Sequence, residues 1–128
     1  LGEEKRSVLV VDDDPAVSES LRLQLEDKGF VVEVARDGDE AIGRLETQVP
    51  DLVILDVVMP GKNGYEVLRW IRNDPKTSDL PVIILSAHPL VGEHEELLHL
   101  GVDAHFEKSA GLSALYRKVD SVLRPPSH

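Results

Sequence analysis

No cysteine occurs among the 128 residues. Disulfides and thiolate chemistry are therefore excluded, and the composition suits a reducing cytoplasm. No apolar run approaches the roughly 18–20 residues that a membrane-spanning helix requires, so no membrane partner is expected. The N-terminus, Leu1-Gly2-Glu3-Glu4-Lys5-Arg6, is polar and of mixed charge, unlike a signal peptide. A chain that begins at Leu1 rather than Met reads as a processed or excised piece. Basic residues are in short supply: 14 Lys and Arg stand against 24 Asp and Glu, a net charge of −10. That balance favours solubility and argues against direct nucleic-acid binding by this segment. There is no His/Cys cluster, and His94 and His99 are five apart, poorly placed to share a helix face. A zinc site is not expected.

What is present is a recurring pattern of short apolar runs that end in polar residues. Val8-Leu9-Val10-Val11 leads into Asp12-Asp13-Asp14, Leu52-Val53-Ile54-Leu55 into Asp56, and Val82-Ile83-Ile84-Leu85 into Ser86. His105-Phe106-Glu107 leads into Lys108. Runs rich in Val and Ile read as strands buried on both faces, as in parallel sheets. Ligand sites in such sheets lie beyond the carboxyl ends of the strands. Asp12, Asp13, Asp56, Ser86 and Lys108 are thus expected to converge at one edge. Carboxylates gathered in this way repel one another and invite a hard divalent cation such as Mg²⁺.

Between these runs lie helix signals. Asp14-Pro15 reads as N-cap and first helical residue, with Val17, Leu21 and Leu25 as the buried stripe of a helix that stops at Gly29. A second strand is predicted over Phe30–Ala35. Asp37-Gly38 reads as a turn, and Ala41, Ile42 and Leu45 mark a short helix. Val67, Leu68 and Ile71 face inward on a helix that ends near Asn73-Asp74-Pro75, with Trp70 as a half-exposed packing residue. A helix is expected around Glu93–Leu100, stopping at Gly101, before a short strand over Ala104–Glu107. Leu112, Leu115, Val119 and Val122 form the stripe of the last helix. This βα alternation predicts an α/β fold, a doubly wound parallel sheet with helices on both faces. One domain is expected over residues 1–124, with residues 125–128 as a tail or the start of a linker.

The segments VLVVDDDP, LVILDVVMPGKNGYEVL, PVIILSA and GVDAHFEK, in this order and spacing, carry a family resemblance. The chain resembles the receiver domain of two-component response regulators over nearly its whole length. The resemblance implies the flavodoxin-like strand order 2-1-3-4-5. It implies a phospho-accepting signalling domain, with Asp56 as the nucleophile that takes a phosphoryl group from a phosphohistidine. Mg²⁺ would be held by Asp13 and Asp56, by Asp12 through water, and by the backbone carbonyl of Val58. Lys108 and Ser86 would contact phosphoryl oxygens, and Ser86 with His105 would form the switch that changes a protein-interaction surface. The implied partners are a sensor histidine kinase or phosphotransfer protein and an output domain or downstream protein, with a phosphorylation-dependent dimer as one option. Lys108 is followed by Ser109 where the family usually has proline, which leaves the geometry of that loop open.

Each residue also has a plainer reading: Asp14 as an N-cap, Ser86 as a strand-end hydrogen bonder, Lys108 as a solvated lysine, His105 as a ring on an edge strand. A phosphorylation-independent receiver-like interaction module is the alternative function. Such modules usually lose the acid pair, the nucleophile or the lysine, and all are present here. A haloacid-dehalogenase-type phosphatase needs a second acid two residues after the nucleophile, where Val58 stands.

Overall fold

A computed structural model describes residues 5–56, 64–86, 101–102, 104–107 and 112–123. In chain order they form β1 (Ser7–Val11), α1 (Pro15–Asp27), β2 (Val31–Ala35), α2 (Gly38–Thr47), β3 (Leu52–Asp56), α3 (Gly64–Asn73), β4 (Val82–Ser86), β5 (Ala104–Glu107) and α4 (Leu112–Leu123). The helix expected around Glu93–Leu100 and the tail at 125–128 lie outside the described residues. All strand pairs are parallel, and the sheet order is β2-β1-β3-β4-β5. This is the order expected from the sequence.

Alternation of side chains along each strand divides the core into two layers. Leu9, Val11, Val53, Leu55, Val82 and Ile84 face one side, where they meet Ala41 and Leu45 of α2 and Val67, Leu68 and Ile71 of α3. Trp70 is partly buried against this layer. Val8, Val10, Leu52, Ile54, Ile83 and Leu85 face the other side, against Leu21 and Leu25 of α1 and Leu115, Val119 and Leu123 of α4. β3 and β4 are buried at every residue, as central strands covered on both faces must be. A fully buried Leu or Ile side chain contributes about 1.5–3 kcal/mol through area removed from water. The two layers therefore outweigh any surface ion pair in holding the sheet.

The chain ends of these elements show why they stop where they do. Asp14 caps α1: its Oδ1 accepts the Ala16 N–H at 2.9 Å, and Pro15 follows at the first helical position. The other end of α1 closes with a Schellman pair. The Phe30 N–H donates to the Leu25 carbonyl (3.1 Å) and the Gly29 N–H to the Glu26 carbonyl (3.0 Å), with Gly29 at φ +98°. Phe30 therefore belongs to the cap, and β2 begins one residue later than its apolar character predicts. Its ring meets Tyr116 of α4 edge-on at 6.5 Å, and Lys28 lies 5.3 Å from the centre of the Tyr116 ring.

Asp37-Gly38, expected as a turn, instead starts α2. Asp37 Oδ1 accepts the Glu40 N–H and Glu40 Oε1 accepts the Arg36 N–H, both at 2.8 Å, a close variant of the capping box. On α4 the deeply buried positions are Leu115, Val119 and Leu123; Val122, expected in the stripe, is only partly buried. On α1, Val17 is likewise partly buried.

Two polar devices fix the sheet's N-terminal edge. Between β1 and β3, the Ser7 N–H donates to Asp51 Oδ2 at 2.7 Å and the Asp51 N–H to the Ser7 carbonyl at 2.9 Å. Across β4 and β5, Arg72 of α3 donates to the carbonyls of Leu80 (2.6 Å), Ser78 (3.2 Å) and Gly101 (2.6 and 3.1 Å). One guanidinium thus ties the end of α3 to the approaches of both strands. Buried Thr77 adds to it, donating from Oγ1 to the Ile71 carbonyl at 2.6 Å.

On the surface, Arg22 pairs with Glu19 and Glu26, and Arg44 with Glu33 and Glu40. The Arg22 guanidinium holds the Glu19 carboxyl below its ordinary range. Exposed pairs of this kind add little to stability. β2 is an edge strand: Val31 is 47% exposed, and Glu33 meets Arg44 at 2.5 Å.

Gly29→Ala should destabilise the fold by about 1–2 kcal/mol, because a Cβ there meets nothing within 4 Å and the cost is purely that of a positive φ. Thermal melting should show a fall in Tm of about 5 °C. Arg72→Met should cost about 2–3 kcal/mol in denaturant unfolding, since several charged hydrogen bonds to carbonyls are lost at once.

Candidate functional site

Parallel pairing of β1 with β3 brings two acidic strand ends together. Val11 is in register with Leu55, so Asp12 and Asp56 lie one step further along neighbouring strands. Asp12 and Asp56 are buried, 1% and 3% exposed, while Asp13 is exposed. One carboxylate oxygen from each of the three lies within 4.8 Å of the others. Asp12 is held from two directions. Its N–H donates to the Ala35 carbonyl at the end of β2 (3.0 Å), and its Oδ1 accepts the Asp14 N–H (2.9 Å).

Ser86 ends β4, one residue beyond the Asp56–Leu85 pair, and is 2% exposed. It therefore sits at the same carboxyl edge as the acidic group. His105 lies on β5 in register with Ile84, two residues before Ser86, and is exposed. Of the residues expected at the site, Asp12, Asp13, Asp56 and Ser86 are brought to this edge. Lys108 and Val58 lie outside the described residues. Asp14 takes the N-cap role read from the sequence. Its backbone N–H bond to Asp12, which a reading of side-chain types does not reveal, adds it to the residues that shape the site.

The donor set fits a hard divalent cation. All three groups offer carboxylate oxygen, they come from the ends of two different strands, and neighbouring strands hold them close. Mg²⁺ takes few carboxylates and completes its shell with water. The exposed position of Asp13 leaves room for such waters, while Asp12 and Asp56 are buried at the ends of neighbouring strands.

Comparison with known proteins agrees with the fold. The sequence pattern of the response regulator receiver domain matches residues 8–120. The response regulator MprA of Mycolicibacterium vanbaalenii is 42% identical over 117 residues, covering 91% of this chain and 50% of that protein. Among solved structures, the chemotaxis protein CheY4 of Vibrio cholerae superposes with a TM-score of 0.88 at 27% identity, covering 94% of this chain and 100% of the other. The signal receiver domain of a signal transduction histidine kinase from Syntrophus aciditrophicus gives a TM-score of 0.85 at 32% identity, covering 96% of each chain. The chain belongs to the response regulator receiver family of two-component systems. It spans about half the length of the curated relatives it matches. No helix among the described residues is long and apolar enough to cross a membrane.

Removing one acid should raise stability in metal-free buffer. Two like charges about 4 Å apart near a protein surface repel by about 4 kcal/mol at an effective dielectric of about 20, more than a single hydrogen bond contributes. Asp13→Ala is expected to melt several degrees above the wild type in EDTA and to lose most of that advantage in Mg²⁺. A variant that melts lower than the wild type in EDTA would contradict the repulsion argument.

Proposed function

We propose that the chain is a phospho-accepting receiver domain in which Asp56 receives the phosphoryl group from a phosphohistidine of a sensor kinase or phosphotransfer protein. The observation that carries this reading is the meeting of Asp12, Asp13 and Asp56 at one strand edge, with buried Ser86 beside them. An Asp56 oxygen forms the new P–O bond as the P–N bond to the donor imidazole breaks, and the imidazole nitrogen leaves with the bonding pair. In-line approach of two anions needs charge compensation. A Mg²⁺ held by Asp12, Asp13, Asp56 and the Val58 carbonyl would supply that compensation. The Lys108 ammonium adds a point charge to the transferred group, and the Ser86 hydroxyl donates a hydrogen bond to it.

The same contacts make the domain a switch. A phosphoryl group shifts a conformational equilibrium only through contacts that differ between the two states. Ser86 and Lys108 supply those contacts. His105, exposed on β5 near Ser86, is the ring that turns inward when the hydroxyl moves. The altered surface then engages an output domain, a downstream protein or a second copy, in the cytoplasm.

The competing reading is an interaction module that works without phosphorylation. Intact-mass spectrometry with Mg²⁺ and a small phosphodonor separates the two. One added phosphate is expected on the wild type and none on Asp56→Asn. An unchanged wild-type mass under several donors would favour the interaction module.

A further inference from the structure

Asp12 and α1 are connected by two hydrogen bonds in series. The Asp14 N–H donates to Asp12 Oδ1, and the Ala16 N–H donates to Asp14 Oδ1, each at 2.9 Å. Both are bonds from a backbone N–H to the side chain two residues earlier, so residues 12 to 16 form consecutive Asx turns. The Asp14 backbone is extended, φ −88° and ψ 109°, as a residue before proline prefers. Pro15 has no N–H, so the cap bond falls on Ala16, the first donor the helix offers. Asp13 is the middle residue of the first turn, and one of its carboxylate oxygens lies within 4.8 Å of those of Asp12 and Asp56.

We infer that Asp14 is a positioning residue for the cation site, acting through Asp12 and Asp13 as well as capping α1. The inference rests on the proposed cation site. The physical reason is that any residue at 14 has an N–H to offer Asp12, but only one whose side chain fastens to Ala16 holds that N–H still. Without the cap, the first turn of α1 frays and residue 14 samples other ψ values. The donor then leaves Asp12 Oδ1, and the buried carboxylate loses one of the hydrogen bonds that orient it toward the cation. Removing a group that orients a metal ligand from behind typically weakens metal affinity by about 10–100-fold. Coupling of this kind is reciprocal: a cation that fixes Asp12 also steadies the start of α1.

The test uses the whole chain and Mg²⁺ alone, with affinity read by titration calorimetry and local order by amide hydrogen exchange. Asp14→Ala should weaken Mg²⁺ binding by about tenfold, at unchanged stoichiometry and with the far-ultraviolet circular dichroism of a folded protein. Asp14→Ser keeps a capping oxygen without the charge and should recover affinity to within about threefold of wild type. In the wild type, Mg²⁺ should slow exchange of the Ala16 amide; in Asp14→Ala it should not. Equal Mg²⁺ affinity in Asp14→Ala and wild type would overturn the inference and leave Asp14 as a helix cap only. Equal weakening in the Ala and Ser variants, vanishing at high salt, would also overturn it, because the effect would then be charge alone. A wild type that binds no Mg²⁺ would overturn the cation site itself, and the inference with it.

Discussion

The parallel register between β1 and β3 is the constraint on which the rest depends. Val8 faces Leu52 and Val11 faces Leu55, and the pairing is fastened at its start by Ser7 and Asp51. At its finish stand Asp12 and Asp56. A slip of one residue would turn every core side chain of one strand to the opposite layer. The two apolar layers therefore enforce the register, and the register puts two carboxylates together that would otherwise repel. The acidic group is a by-product of packing in this sense: apolar residues far from the chemistry determine which polar residues meet.

That arrangement also explains where the polar cost is borne. Burying Asp12 and Asp56 beside Asp13 is unfavourable in the absence of a countercharge. The cost falls at the strand ends, where the core has already closed, so it does not propagate into the sheet. Asp12 is compensated locally by the Asp14 N–H, and its own N–H continues the ladder to Ala35. The fully buried residues are concentrated in β3 and β4, and the like charges at the acidic edge. A cation bound at that edge would offset the repulsion where it arises.

Much of this was legible in the sequence, for identifiable reasons. Short Val- and Ile-rich runs bounded by turn residues read as strands covered on both sides, and β1, β3 and β4 lie on those runs nearly to the residue. The order of strands came from the family resemblance, since periodicity says nothing about which runs are neighbours. Phe30 differs from the expectation because an apolar residue after a helix serves equally as a strand start or as the hydrophobic end of a Schellman cap, and only the backbone decides. Asp37-Gly38 suits a turn and an N-cap equally, because both use the same residues; Glu40, three positions later, is the signal that distinguishes them. Arg72 and Thr77 gave no signal. Their partners are backbone carbonyls, which carry no mark in the sequence. The link from Asp14 to Asp12 was hidden for the same reason.

The edge strand β2 has a consequence of another kind. Its outer rim exposes backbone groups of the sort that recruit strands from other molecules, and Val31 lies open beside them. Glu33, two residues on and bridged to Arg44, puts a fixed carboxylate on that rim. A charge on such a rim acts as a guard against association through the open strand edge. Loss of Glu33 would be nearly silent in a dilute melting curve and would show in the test tube as turbidity.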